Sequence, residues 1–367
     1  MRFGAVFVAA IVAVTVAVAV PSTATDDSVV IKNPKPANGT TKDVPHYVVD
    51  LSKPPKERWA HIVKNYKPEM QDLIRYMKKL LSPKVFDDIT VLLGDLDNAL
   101  GQPWADEMRG AADALDVDVG DVVLANLYYE ADTACTSIVA QRSNGTIFHG
   151  RNLDFNLPDL QQTTVEVSFQ HGEQGPTLYR ATTYAGYVGI LTGMRPDGFS
   201  VSLDERWTKN GTLWDNLLDA LKGYHPVGFV LRTALEEQKT FDQAVQYLST
   251  VKLITVSYII VGGVRANEGA VITRERESAI DVWRIAYPNR WFLVETNYDH
   301  WKPVPASDDR RDPANKHMHA TNSSAITPDV MWSVMNMFPN LNSETTYTVV
   351  MSADTHYFKC KTQNNKP

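Results

Sequence analysis

The chain has 367 residues, of which 44% are hydrophobic and 22% charged. This composition is typical of a globular protein and excludes a disordered or fibrous one. The 43 acidic residues outnumber the 36 basic ones, which argues against nucleic-acid binding because that function needs a basic face. With two cysteines, Cys135 and Cys360, the chain cannot be a disulfide-rich scaffold.

The first residues have the pattern of a secretory signal peptide. Arg2 precedes an apolar run of 18 residues from Phe3 to Val20, and Ser22-Thr23-Ala24 supplies small residues before a cut. A signal anchor is the alternative, since a run of this length could just span a bilayer. We expect residues 1–24 to be a signal peptide that directs the chain into the secretory route.

Four N-glycosylation sequons follow the predicted signal peptide. They are Asn38, Asn144, Asn210 and Asn322, each in an Asn-x-Ser/Thr triplet without proline. Such triplets also arise by chance, but behind a signal peptide they can be used. We therefore predict a glycoprotein.

The next part of the chain is predicted to be helical. Residues 25–46 are polar and proline-dotted and predict an irregular lead-in. From about Pro54 to Glu130 apolar residues recur at three- and four-residue steps, which indicates helices. One of these, Val85–Leu100, ends before Gly101 and Pro103 and could be an amphipathic helix that inserts at a membrane surface. Burial of the same helix against a sheet would give the same periodicity.

After Ala134 the apolar period changes to two, which indicates strands. Two short runs around Asn144-Gly145 predict a hairpin. Further strands are predicted at 165–169, 177–184, 199–203, 258–261, 270–273, 280–285, 292–295 and 346–351, with helices at 214–221, 227–237, 241–248 and 328–337. This order lacks regular βα alternation and predicts an α+β layered domain.

The sequence predicts neither a cofactor nor a metal. It contains no glycine-rich nucleotide motif and no His-Glu-x-x-His motif. His317-Met318-His319 could place two metal ligands on one strand face, but no third ligand follows at a recognisable spacing. A surface pair of histidines is the favoured interpretation.

Cys135 is the most informative residue because it stands where the helical pattern gives way to strands. The predicted hairpin would bring Arg151 and Asp154 back beside its thiol. A nearby arginine lowers a thiol's pKa and favours the nucleophilic thiolate. The alternatives are a buried structural cysteine or a disulfide with Cys360. A papain-like protease would also need a catalytic histidine in a suitable context, which the sequence does not show.

Six segments carry a resemblance to a known family. They are Cys135–Ala140, His149–Asp154, Gly186–Gly189, Asp204–Arg206, Glu295–Pro303 and Asp308–Arg311. In their residues and in their order along the chain, these segments resemble the acid ceramidase and N-acylethanolamine-hydrolysing acid amidase family. The resemblance extends from about Tyr47 to Tyr357. The resemblance implies a lysosomal N-terminal-nucleophile hydrolase with an αββα core, made as an inactive precursor that cuts itself before the nucleophilic cysteine.

Cleavage between Ala134 and Cys135 is what the resemblance implies for this chain. It would leave a helical α-subunit of residues 25–134 and a catalytic β-subunit of residues 135–367. Residues 25–134 contain no cysteine, so we expect the two subunits to stay together without a covalent bond.

The resemblance also assigns roles to matching positions. Cys135 would be the nucleophile and its freed α-amino group the general base, with Arg151 beside the sulfur and Asp154 holding the α-amine. Asn297 would donate to the oxyanion of the tetrahedral intermediate. Two further matching positions, expected to form a pair that shapes the pocket near the leaving amine, are Glu205 and Arg310. By residue type alone, the acidic and basic residues around these two would be surface ion pairs.

Within the family the acid amidase branch is the closer match. The chain lacks the cysteines for the bridges that acid ceramidases share, and His300 and Leu153 are similar to acid amidase residues, although Phe155 is more ceramidase-like. We predict hydrolysis of N-acylethanolamines to fatty acid and ethanolamine in the lysosome, and the secretory route also allows secretion of the protein. The enzyme is expected to meet its lipid substrate at a membrane or micelle surface. Ceramide hydrolysis is the alternative reaction, and a non-enzymatic lipid-binding glycoprotein is the alternative of another class.

Overall fold

The protein is described by a computed structural model that covers residues 35–37, 40–80, 100–128, 133–157, 160–206 and 223–363. The predicted signal peptide, the predicted helix at 214–221 and all but the last residue of Val85–Leu100 lie outside these ranges, as do the sequons Asn38 and Asn210. Across the described ranges, no helix has both the length and the apolar character needed to span a membrane.

Two large sheets form the centre of the fold. The strands are β1 Thr41–Asp43, β2 His46–Asp50, β3 Ala134–Gln141, β4 Ile147–Asp154, β5 Thr164–Gln170, β6 Thr177–Tyr184, β7 Thr192–Arg195, β8 Phe199–Glu205, β9 Ser257–Gly262, β10 Gly269–Arg274, β11 Ala279–Arg284, β12 Phe292–Glu295, β13 Thr345–Ser352 and β14 Tyr357–Gln363. A six-stranded sheet has the order β1-β14-β13-β4-β3-β12, and an eight-stranded sheet the order β11-β10-β9-β8-β7-β6-β5-β2. All pairs are antiparallel except β2 with β5.

Helices cover the outer faces of both sheets. They are α1 Ala60–Val63, α2 Lys67–Leu80, α3 Trp104–Leu115, α4 Val119–Tyr128, α5 Val227–Glu237, α6 Phe241–Thr250, α7 Arg311–Ala320 and α8 Pro328–Met335, with short 3₁₀ turns at Pro55–Glu57, Lys64–Tyr66 and Leu160–Thr163. Helices α7 and α8 pack on the six-stranded sheet, and α5 and α6 on the eight-stranded sheet. The predicted α+β sandwich with an αββα order is confirmed.

The central hairpin, β3 and β4, is buried on both faces because it lies between a helix layer and the other sheet. Successive side chains of a strand point to opposite faces. Ile138 therefore packs with Met331 of α8, while its neighbour Val139 packs with Ile260 of the eight-stranded sheet. The turn runs through Gly145 at φ +97°, a conformation that suits glycine, and the predicted Asn144-Gly145 hairpin is confirmed.

The lead-in of the chain is not irregular throughout, and that prediction was wrong. Strand β1 pairs with β14 and strand β2 with β5, so the segment before the predicted cut supplies one edge strand to each sheet. Strand β1 consists of three exposed residues. Such a strand is held by backbone hydrogen bonds to its partner strand. Its side chains therefore need no period-two pattern of apolar residues.

His317 and His319 lie in helix α7, so the alternative that placed them on one strand face does not apply. Met318 between them is buried, whereas His319 is exposed. In a helix, residues two apart do not share a face. The favoured interpretation of two surface histidines stands.

A buried charge cluster joins the part before residue 134 to the part after it. Glu107 of α3 and Arg232 of α5 are both fully buried, and Arg232 Nη2 donates to Glu107 Oε1 at 2.8 Å. Glu107 also accepts from Arg58 Nη1 at 2.9 Å and from Trp59 Nε1 at 2.6 Å. The guanidinium of Arg232 lies 4.8 Å from the ring of Trp104. Every donor around Glu107 is thus satisfied inside the interface between the two parts.

Candidate active site

The predicted nucleophile lies at the start of β3, which runs between β4 and the edge strand β12 of the six-stranded sheet. Cys135 is opposite Leu153 in the β3–β4 register, and Ala134 is opposite Asp154. The thiol is completely buried, with Sγ 3.7 Å from the Leu203 carbonyl oxygen and 3.9 Å from Thr133 Oγ1. Cys135 and Cys360 are both free, so the alternative of a disulfide between them was wrong.

Arg151 reaches the predicted position beside this thiol. It stands on β4, is fully buried, and donates through Nη1 to the Leu203 carbonyl and to the Asp204 carboxylate. Burial raises the pKa of Cys135 to about 12, and the charge of Arg151 only partly opposes that rise. In the uncut chain the thiol is therefore protonated at physiological pH, because desolvation outweighs the nearby cation.

The peptide groups of Cys135 are held by two other predicted site residues. Its backbone N–H donates to Asn297 Oδ1 at 2.9 Å, and its carbonyl accepts from Arg310 Nη1. Asn297 Nδ2 donates to the Glu205 carbonyl at 2.7 Å, and Arg310 Nη2 donates to Asn297 Oδ1 at 2.7 Å. Asn297 thus lies at the nitrogen of the bond that is predicted to break. Its role as an oxyanion donor stays a prediction.

Asp154 lies on the other side of the same bond. Its carboxylate accepts from Thr345 Oγ1 at 2.6 Å and from Asn342 Nδ2 at 3.0 Å, and Arg310 Nη1 is 3.6 Å away. Burial raises its pKa to about 6, against the opposing charge of Arg310. Its register partner is Ala134, the residue before Cys135, and its role in holding the freed α-amine stays a prediction.

Glu205 and Arg310 do not form the predicted pair. Arg310 is bound to Asp308 at 2.8 and 2.7 Å, because only Asp309 separates them and both precede α7. Asp308 in turn accepts from the hydroxyl of Tyr298 at 2.7 Å. Glu205 Oε2 accepts from the Thr133 N–H at 2.6 Å, so its contact is with the segment on the N-terminal side of the cut.

Asp204 is the site residue that the sequence analysis missed. In β8, Ser200, Ser202 and Asp204 alternate with Phe199, Val201 and Leu203, and all six are buried. Polar residues at alternate positions of a buried strand indicate a polar face turned inward. That alternation was available in the sequence.

A small pocket lies next to Thr133 and Arg151, two neighbours of the Cys135 thiol. A pocket of about 10 Å³ is lined by residues that include Thr133, Arg151, Glu205 and Ser257. This volume holds about one water molecule. A space of this volume does not hold an acyl chain.

Glu295, at the end of β12, is a second buried carboxyl near the site. Its Oε1 accepts from the Thr296 N–H at 3.0 Å, while its Oε2 has no partner among the described residues. Burial and the neighbouring Asp204 raise its pKa well above the ordinary value of 4.5. The protonated form is therefore the one that suits the folded chain.

The sign of this shift predicts a pH-dependent stability. A carboxyl with a raised pKa in the folded state favours folding most below pH 4.5 and loses that contribution as pH rises through its folded pKa. Glu295→Gln, which stays neutral, should match the wild type at pH 4.5 and melt several degrees higher at pH 8. Scanning calorimetry at both pH values, with the exposed Glu237→Gln as control, measures this. A difference that is the same at both pH values would contradict it.

Comparison with known proteins places this arrangement in a family. A profile described as linear amide C–N hydrolases, choloylglycine hydrolase family, matches residues 135–327, so the match begins at Cys135. A second profile, described as a subunit of N-acylethanolamine-hydrolysing acid amidase, matches residues 42–100. The chain belongs to the family of acid amidases and acid ceramidases. It is accordingly a hydrolase of linear amide C–N bonds.

Individual relatives cover most of the chain. An N-acylethanolamine-hydrolysing acid amidase of Cavia porcellus is 41% identical over 85% of this chain and 88% of its own length. The acid ceramidase of Homo sapiens is 33% identical over 89% of both chains. A solved structure of the Caenorhabditis elegans acid amidase ortholog superimposes with a TM-score of 0.54 at 40% identity, covering 60% of this chain and 93% of that one. The N-terminal-nucleophile fold of the acid amidase family is thereby confirmed.

The two profiles lie on opposite sides of the predicted cut, in agreement with two subunits made from one precursor. The first profile's description names a beta subunit, whereas we use α for the piece before Cys135 and β for the piece after it. Membership of a hydrolase family, together with the assembled Cys135 site, removes the alternative of a non-enzymatic lipid carrier.

Proposed function

We propose that this chain is a lysosomal acid amidase that hydrolyses N-acylethanolamines to fatty acid and ethanolamine, with Cys135 as nucleophile after cleavage of the Ala134–Cys135 bond. The observation that carries the proposal is the set of contacts around Cys135. Asn297 and Arg310 hold its N–H and carbonyl, and Arg151 lies beside its thiol.

In the proposed activation step the Cys135 thiol attacks the carbonyl carbon of Ala134. The C–N bond then breaks, the Cys135 nitrogen takes up a proton, and Ala134 is left as a thioester on Sγ. Water hydrolyses the thioester, which frees the thiol, the α-amine of Cys135 and the carboxylate of Ala134.

In the proposed catalytic cycle the α-amine takes the thiol proton and the thiolate attacks the amide carbonyl of the lipid. An α-amino group suits this task because its ordinary pKa is about 8 and neighbours can lower it. Asp154 would hold the amine, and the departing ethanolamine nitrogen would receive the proton. Water then releases the fatty acid from the thioester.

Substrate choice is tested by kcat/KM for palmitoylethanolamide against a long-chain ceramide, in one detergent and at one acidic pH. We expect the ethanolamide to be preferred by about tenfold or more, since a second long chain would need its own groove. The acid amidase relatives support this choice with 41% identity against 33% for acid ceramidase. A ceramide preference would assign the chain to the other branch and leave the Cys135 chemistry unchanged.

The two subunits should remain together without a disulfide. Residues 25–134 contain no cysteine, and Cys135 and Cys360 both belong to the other piece. Size-exclusion chromatography of the cleaved protein should give one complex, and denaturing gels should show the same two fragments with and without reductant. A fragment pattern that changes with reductant would contradict non-covalent assembly.

Lysosomal residence is part of the proposal, and two sequons support the secretory route. Asn144 and Asn322 are exposed, and a bond of 3.1 Å from the Ser143 N–H to the Ser323 carbonyl places their loops side by side. Enzymatic removal of N-glycans should lower the apparent mass on a denaturing gel less for Asn144→Gln and for Asn322→Gln than for the wild type. Co-fractionation with lysosomal markers tests the compartment.

We also propose that the enzyme takes its substrate from a membrane or micelle surface, because a lipid amide is nearly insoluble in water. The predicted amphipathic segment at residues 85–100 is the candidate for that contact. Replacement of its apolar residues by serine should weaken liposome binding. Unchanged binding and turnover would reject this role.

A further inference from the structure

The charge balance of Arg151 depends on one carboxylate. Arg151 and Asp204 are both fully buried, and their contact joins guanidinium Nη1 to carboxylate Oδ1. Within the described ranges no other carboxylate forms an ion pair with Arg151. The same Nη1 donates to the Leu203 carbonyl, which is also the group 3.7 Å from Cys135 Sγ. Two groups of β8, the Leu203 carbonyl and the Asp204 carboxylate, therefore hold the Arg151 guanidinium in its place beside the Cys135 thiol.

Asp204 is itself fixed by a line of hydrogen bonds between the two sheets. Ser137 Oγ donates to its Oδ1 at 2.7 Å, and Ser137 lies 2.9 Å from Ser202 Oγ. His149 follows, with Nε2 at 2.9 Å from Ser202 Oγ and Nδ1 at 3.0 Å from Ser200 Oγ. Burial lowers the pKa of His149 to about 3, so this ring is a neutral member of the line. A side chain held this way has little freedom to move.

We propose that Asp204 is a positioning residue that holds the Arg151 guanidinium against Cys135. When Asp204 is ionised, its negative charge also offsets the positive charge of Arg151. It does not contact the thiol, and its effect on hydrolysis rests on the function proposed above. The groups around Asp204 set the pH range in which it is ionised. Burial raises the pKa of Asp204 to about 7, and Arg151 opposes this rise.

The groups that face Asp204 come from several elements. Ser137 and the Cys135 thiol lie on β3, Arg151 and Asp154 on β4, Glu295 on β12, and Arg310 before α7. Two cations and three acids thus share one buried volume. When Asp204 ionises, its charge raises the pKa of the thiol, whereas Arg151 lowers it. Rising pH through the Asp204 pKa therefore disfavours the thiolate, and acid restores the full influence of Arg151.

Two variants separate position from charge. Asp204→Ala removes the anchor of Arg151 and should lower kcat/KM by about 100-fold, the size expected for a displaced catalytic group. KM should change little, because Asp204 does not touch substrate. Asp204→Asn keeps an oxygen acceptor for Ser137 and Arg151 without ionising. At acidic pH it should work within a few-fold of wild type, and its activity should decline at a higher pH than that of the wild type.

The matched control is Glu166→Gln. Glu166 on β5 forms an ion pair with Arg180 on β6 that is less buried than Arg151–Asp204 and lies away from the thiol. Its pH profile should follow the wild type. If both Asp204 variants change only the melting temperature and leave the pH profile in place, Asp204 has a merely structural role and the proposal is overturned.

Alkylation of mature Cys135 by iodoacetamide gives a readout that needs no substrate. The pH midpoint of alkylation should fall in Asp204→Asn relative to the wild type, and an unchanged midpoint would overturn the proposal. If the wild type hydrolyses no N-acylethanolamine, the proposed function fails, but the alkylation profile still tests Asp204. Should Asp204→Ala not fold, Ser137→Ala removes one hydrogen bond from the same carboxylate and should lower kcat/KM about fivefold.

Discussion

Cys135→Ala is expected to remain one uncut chain in acid and to hydrolyse no amide. Both steps of the proposed chemistry form a bond to Sγ, so removal of that atom abolishes both. The rest of the site should survive, because Asn297 and Arg310 bind the backbone of residue 135 and Arg151 is held by Asp204. The measurement is a denaturing gel after acid incubation, together with palmitoylethanolamide turnover.

Cys360→Ala is the matched control for this experiment. Cys360 is the other buried free thiol, and burial raises its pKa as it does that of Cys135. It lies on β14, which does not border the β3 strand that carries the nucleophile. This variant should be cut and active. Normal fragments from Cys135→Ala would show that an external protease makes the cut.

Glu107→Gln should weaken the complex of the two subunits more than any exposed charge substitution. Arg232 and Arg58 would lose their common counter-ion inside a dry interface, and breaking a buried ion pair from one side costs about 3–5 kcal/mol. For a protein of this size that corresponds to a drop of about 4–7 °C in melting temperature. The cleaved complex should dissociate at a lower urea concentration than the wild type.

The neighbouring residue supplies the control. Asp106 forms an ion pair with Arg109 at 2.9 Å on the half-exposed side of the same helix. Asp106→Asn should cost at most about 1 kcal/mol, the usual value for an exposed pair. Equal losses from both variants would show that burial of Glu107 does not set the strength of the interface.

The sequence predicts the centre of the site well and its surroundings poorly. Cys135, Arg151 and Asp154 come together through one hairpin, whose turn and period are local properties of the chain. Asp204 on β8 binds Arg151, and only the tertiary fold brings these two residues together. Asp308 binds Arg310 because the two are close in the chain, and so Arg310 does not pair with Glu205 as predicted. Which buried charges pair with each other depends on tertiary packing, and the apolar periodicity of a sequence does not predict that packing.

The same contrast applies to the elements. Strands of the buried hairpin and helix α5 have strong apolar patterns, and the structure has them where the sequence predicts them. Strand β1 and helix α7 were missed. The first is a short exposed edge strand, and the second, with the sequence RDPANKHMHA, has few apolar residues to set a period. Both form because a neighbouring element offers them a surface.

The two edge strands β1 and β2 have a consequence for how the enzyme must be made. A polypeptide that began at Cys135 would leave β14 and β5 as open sheet borders, each with a row of unpaired backbone N–H and C=O groups. Open borders of this kind recruit other chains and lead to aggregation. The N-terminal piece supplies the outermost strand at both of these borders. We therefore expect the two pieces, when produced apart, to aggregate more than the precursor does.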